Sequence, residues 1–136
     1  MSLYRFRRPV EVKILTILFV WLALWNSLRL VQAIHFWETL SAYGARGGPL
    51  YSAVSGGVWA GAWLALGWAL WQGKAWAWGA ALGGAAGYGS WAWFDRLIVQ
   101  EPHGNELFVL VSMAVGLVFV FLLLFSKNVR DFCHER

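Results

Sequence analysis

Apolar residues gather into four long runs along the 136-residue chain, at residues 10–33, 49–71, 75–98 and 106–125, with short polar or glycine-rich breaks between them. Each run reaches the roughly 20 residues that a helix needs to cross a hydrocarbon core of about 30 Å. The breaks carry helix-boundary residues: Pro9 opens the first run, and Pro49, behind Gly47 and Gly48, opens the second. Proline's fixed φ and missing donor suit a first helical position. Asn105 stands before the fourth run as an N-cap, following a turn over residues 102–104. The pattern predicts an all-α integral membrane protein with four transmembrane helices. They form an up-down bundle that takes residues 1–136 as a single domain.

Composition points the same way, with 60% hydrophobic and 13% charged residues where an average globular domain carries roughly 25% charged. Orientation follows from the basic residues. Arg5, Arg7, Arg8, Lys13, Lys74, Lys127, Arg130 and Arg136 all fall on one side of the four-span arrangement, leaving Arg29, Arg46 and Arg96 for the other. The positive-inside rule then puts both termini in the cytoplasm. The net charge of +4 reflects this topology, and no nucleic-acid partner is predicted. The first run is too long for a signal peptide. Cys133, the single cysteine, offers neither a disulfide framework nor a cysteine metal motif. High Gly, Ala and Trp content with compact loops fits a prokaryotic plasma membrane.

Small residues recur at every fourth position in the middle of the chain. Ala53, Gly57, Gly61, Ala65, Ala69 and Gly73 mark one stripe, and Gly79, Gly83 and Gly87 mark another on the following run. Lipid provides little hydrophobic drive for helix association, so close backbone approach through small side chains supplies it. A turn at Gly73 and Lys74 makes these two helices antiparallel neighbours, which predicts a tight glycine-zipper hairpin. The stripes either face each other inside that hairpin or turn one face toward a second copy or another subunit. The fourth run, nearly all Val, Leu, Phe and Met, reads as lipid-facing.

Nine of the chain's 11 tryptophans divide by depth. Trp76, Trp78, Trp91 and Trp93 lie near helix ends, where aromatic anchors belong. Trp21, Trp25, Trp59, Trp63 and Trp68 lie deeper, where an indole donor wants a partner. Asn26, Arg29, Gln32 and His35 follow at intervals of three on one side of the first helix. Arg29 lies roughly 25 Å along that helix, at a depth similar to that of Asp95 on the third. An intramembrane ion pair between them is one reading; snorkelling of Arg29 or a functional ion or proton site are the others. Trp25, Asn26, Trp59, Trp63, Tyr88 and Trp91, together with this pair, form a candidate groove. A helix break over residues 83–89 would place Tyr88 at a midplane site. The segment from His35 to Gly48 either extends the first helix or lies along the interface.

Catalytic patterns are missing: the chain has no phosphate loop, nucleophile elbow or HExxH. His35, Glu38, Glu101 and His103 could gather externally, but no HxxxH or HxH spacing fixes two histidine ligands on one helix. Neither a metal nor a cofactor is predicted. The expectation is a non-enzymatic membrane subunit, with membrane lipid around it, that forms a homo-oligomer or joins a larger membrane complex. The alternative is binding or passage of a lipid, quinone or small solute in the Trp-rich groove.

Overall fold

Every element in the computed structural model, which describes residues 7–44, 46–100 and 104–134, is helical. The elements are α1 (Val10–His35), α2 (Trp37–Ala42), α3 (Gly48–Gln72), α4 (Ala75–Phe94), a π-helical turn (Asp95–Val99), α5 (Glu106–Leu124) and α6 (Lys127–His134). Three helices, α1, α3 and α5, are long and apolar enough to cross a membrane, as befits a membrane protein. At 20 residues, α4 has comparable length, but its Gly, Trp, Tyr and Ser content makes it less apolar. Arg5, Glu101, His103 and Arg136 lie outside the described residues.

The closest backbone approach is between α1 and α3. Val12, Leu15, Phe19, Ala23 and Asn26 are buried on α1, and Gly56, Ala60, Trp63, Gly67 and Leu70 on α3. Both sets recur at three- and four-residue steps, so each forms one helical face. A Cβ built on Gly56 would stand 2.8 Å from the Asn26 carbonyl oxygen and 2.9 Å from the Leu30 nitrogen. Only glycine permits this approach. Further along, Gly67 meets Phe19, and the Phe19 ring lies 4.7 Å from that of Trp63.

The glycine stripes do not mesh inside the α3–α4 hairpin. The turn itself forms as expected, with Gly73 in the left-handed region at φ 68°. Beyond it, Trp59 and Trp63 of α3 meet Tyr88 of α4 with ring centroids at 5.0 and 5.3 Å, and these bulky rings keep the two backbones apart. Gly61, Gly79 and Gly83 have no neighbour within 4 Å of a built Cβ, while Gly57 and Gly87 touch only Leu30 and Trp59 side chains at 3.7 Å. Ala65 is exposed. The small residues that α4 does bury are Ala77, Ala81, Ala85, Gly89 and Ala92; the first four stand two positions out of phase with the predicted stripe and thus about 200° around the helix. Gly89 on that face meets Leu117 of α5. No break occurs over residues 83–89. The irregularity in α4 comes instead at Asp95, where the chain changes to π winding.

Two short helices complete the fold. After α1 ends near His35, α2 folds over the same end of the molecule. At the opposite end α6 follows α5 and buries Val129 and Cys133. Cys133 belongs to the core cluster, and burial pushes its thiol pKa up. Trp78 binds this end together: its indole donates to the Leu124 carbonyl at 2.7 Å, and its ring neighbours Phe125 and His134. That bond satisfies one of the carbonyls left free where a helix ends. Arg8 donates through Nε to the Trp71 carbonyl at 3.2 Å and lies over the Trp71 ring, and Asn128 donates to Glu11. The start of α1, the α3–α4 turn and α6 therefore share one end.

Candidate functional site

At the other end, α1, α3 and the π-helical turn bring a carboxylate and a guanidinium together. The Arg29 fork donates from its two terminal nitrogens to the two Asp95 oxygens, at 2.9 and 3.0 Å. Tyr51 donates its hydroxyl to Asp95 Oδ1 at 2.8 Å, and Gln100 Nε2 donates to Oδ2 at 2.6 Å. The local sequence explains the convergence. Gly47, in the left-handed region at φ 81°, leaves room for the Tyr51 ring and Val99, each 3.0 Å from where its Cβ would be. The π winding carries Gln100 back over Asp95, with the Gln100 backbone N–H bonded to the Asp95 carbonyl at 2.8 Å. Such π segments recur at functional sites.

These four bonds decide the chemistry of Asp95. An ionised carboxylate offers about four acceptor sites, and here two donors meet each oxygen. With its residue only 2% exposed, Asp95 is saturated and closed to a ligand. Arg29 is in a different state, since a guanidinium has five N–H donors and Asp95 takes two of them. Its side chain is 24% exposed. The guanidinium carbon also lies 5.1 Å from the Trp91 ring centroid and 5.8 Å from that of Tyr51, so the group is held by stacking as well as by charge.

Behind the ion pair stands an aromatic cluster. Trp91 donates its indole N–H to the Tyr51 hydroxyl at 3.1 Å, and its ring lies 5.6 Å from Trp59 and 5.5 Å from Tyr88. Buried Asn26 donates to the Leu22 carbonyl at 2.8 Å and to the Tyr88 hydroxyl at 3.3 Å. Asn26, Trp59, Trp63, Tyr88 and Trp91 thus come together as a packed layer rather than an open groove. Trp63 is almost fully buried, with its N–H unpartnered among the described residues. Trp25 is not part of this layer; at 61% exposure it lies off the buried face of α1. Trp91 and Trp78, predicted as interfacial anchors, act as internal hydrogen-bond donors. Trp76 and Trp93 remain exposed at helix ends.

Two grooves flank the Arg29–Asp95 pair. The larger, about 510 Å³, runs beside α3 and is lined by Leu50, Val54, Ser55 and Val58 together with Tyr51, Trp59 and Trp91. The smaller, about 360 Å³, lies between α1, α2 and Ser52 of α3, with Arg29 in its wall. Sequence reasoning missed Tyr51 and Gln100. A tyrosine one turn into the second span, at the same end as Arg29, was the available signal. Asn105 occupies the expected N-cap position, but its side-chain oxygen accepts from Arg96 at 2.8 Å instead of capping α5. His35 meets only the edge of Phe36 among aromatic neighbours, and its expected partners Glu101 and His103 lie outside the described residues. Among those described, no group of three His, Cys, Asp or Glu side chains is placed to hold a metal ion. No protein-family model, curated protein or solved structure matches the chain.

Proposed function

We propose that the chain is a four-span integral membrane protein of a prokaryotic plasma membrane with both termini cytoplasmic. It acts without catalysis, as a subunit that assembles with copies of itself or with a larger membrane complex. The fourth span is α4, whose 20 residues extend about 30 Å. The observation that carries the assembly reading is the uncovered small-residue surface. Gly61 on α3 and Gly79 and Gly83 on α4 have open space where a Cβ would stand. In lipid such surfaces favour close approach of another helix, because dispersion between backbones replaces weaker contact with mobile acyl chains.

Substituting Gly61→Leu and Gly83→Leu together tests this reading, with the assembly mass measured in a mild detergent. Loss of the assembly with the monomer still folded is the expected result; an unchanged mass would refute the role of these faces. A second reading, binding or passage of a lipid, quinone or small solute, draws support from the larger groove. Its 510 Å³ falls within the range of ordinary small-molecule sites. Extraction of the purified protein should then release a stoichiometric lipid or quinone, and its absence would count against that reading.

A further inference from the structure

The smaller groove joins unused donors to an apolar floor. Three of the five N–H groups of Arg29 make no hydrogen bond among the described residues, the other two being fixed on Asp95. Gln32, Thr39 and Ser52 line the same groove, and Gln32 and Thr39 are exposed. Ala33, Phe36 and Leu40 form its apolar part. Every charged or polar side chain lining it can donate, and none is a carboxylate. Such a site favours an anionic oxygen ligand, and a guanidinium suits phosphate best because its fork matches two phosphate oxygens. Pairing with Asp95 and stacking on Trp91 hold the guanidinium in place before any ligand arrives.

The surroundings choose between a free and a lipid-borne phosphate. Leu28, Val31 and Ile34 on α1 and Phe36 in the groove wall are exposed apolar residues on or just beyond a helix apolar enough to cross a membrane. The groove therefore opens where α1 leaves hydrocarbon. We propose that it binds the phosphate of a phospholipid headgroup, with Arg29, Gln32, Thr39 and Ser52 donating to its oxygens and an acyl chain lying along the exposed flank of α1. This site is independent of the assembly reading and is separate from the aromatic groove on the other side of the ion pair.

The test uses the full chain, delipidated in mild detergent and titrated by native mass spectrometry with phosphatidylglycerol and with diacylglycerol of the same acyl chains. One phosphatidylglycerol should be retained at least tenfold more tightly than diacylglycerol, since hydrogen bonds to a charged group account for that factor. The triple variant Gln32→Leu, Thr39→Val, Ser52→Ala leaves the Arg29–Asp95 pair intact and should weaken phosphatidylglycerol at least tenfold. If the triple variant does not fold, Thr39→Val and Ser52→Ala are measured singly, each with an expected loss of about threefold. Equal retention of the two lipids, or undiminished retention by the variants, would overturn the proposal. Displacement of phosphatidylglycerol by millimolar inorganic phosphate would overturn the lipid as source.

Discussion

A single methyl group on Gly56 should loosen the fold more than one on any of the glycines that form the predicted zipper. In Gly56→Ala the new Cβ would lie 2.8 Å from the Asn26 carbonyl oxygen, 2.9 Å from the Leu30 nitrogen and 3.3 Å from the Leu30 Cα. All three are main-chain atoms of α1, so no rotamer change relieves the clash and the two helices must separate by several tenths of an ångström. Separation weakens the dispersion contacts along α1 and α3, including that of Phe19 with Trp63. Overpacking of this kind costs about 1–3 kcal/mol, and the rigidity of the opposing backbone argues for the upper end. Higher helix propensity of alanine returns up to about 1 kcal/mol. The net expectation is a destabilisation of about 2 kcal/mol. Gly61→Ala meets nothing within 4 Å and should be neutral or slightly stabilising in the monomer. Unfolding by sodium dodecyl sulfate in mixed micelles, followed by tryptophan fluorescence under monomeric conditions, separates the two variants. Equal stability of Gly56→Ala and the unsubstituted protein would refute the α1–α3 packing described above, as would a larger loss for Gly61→Ala.

The remaining expectations concern the two ends of the molecule. Asp95→Asn leaves Arg29 without its counter-ion and should destabilise the fold by about 3 kcal/mol; Arg29→Leu combined with Asp95→Leu should cost less than the sum of the single substitutions, and strict additivity in that cycle would exclude coupling. Trp78→Phe removes the donor to the Leu124 carbonyl and should lower stability by about 1 kcal/mol, with Cys133 becoming faster to label as α6 loosens. In the unsubstituted protein, fully buried Cys133 should react with a soluble maleimide far more slowly than after denaturation; equal rates would mean that α6 is not docked. Burial holds its thiol pKa above the ordinary value, so the folded state retains the proton while the unfolded state releases it. The contribution of α6 docking is then complete at neutral pH and falls as pH rises through the ordinary thiol range. Labelling of the folded protein should accordingly accelerate with pH more steeply than that of a free thiol.

The long apolar runs were legible because length and the absence of charge fix a candidate span whatever its neighbours do. The boundaries of α1, α3 and α5 fall within two residues of the runs, where Pro9, Gly47, Gly73 and Asn105 mark the breaks. Helix faces were harder to read. Along residues 53–89 glycine and alanine occur on every side, so a four-residue spacing recurs in more than one phase. The packing phase is decided by the large residues: Trp59, Trp63 and Tyr88 fill the space inside the hairpin, and the close backbone contact falls instead at Gly56 against α1. Helix α6 was hidden by its charges: Val129, Phe132 and Cys133 do follow a helical three-and-four spacing, but Lys127, Arg130 and Asp131 around them break the apolar run. Counting depth along the first and third helices put Arg29 and Asp95 at a similar level, with their pairing as one reading among three. It could not supply Tyr51 and Gln100, because the first depends on the bend at Gly47 and Gly48 and the second on π winding, neither of which follows from residue pattern alone.

The native mass of the unsubstituted chain, taken directly from membranes into lipid nanodiscs without a delipidating step, tests the proposed role most directly. Assembly requires a multiple of the 15.3 kDa protomer or a complex with a co-purifying membrane protein, stable on dilution. A bare 15.3 kDa monomer at every protein concentration would contradict it.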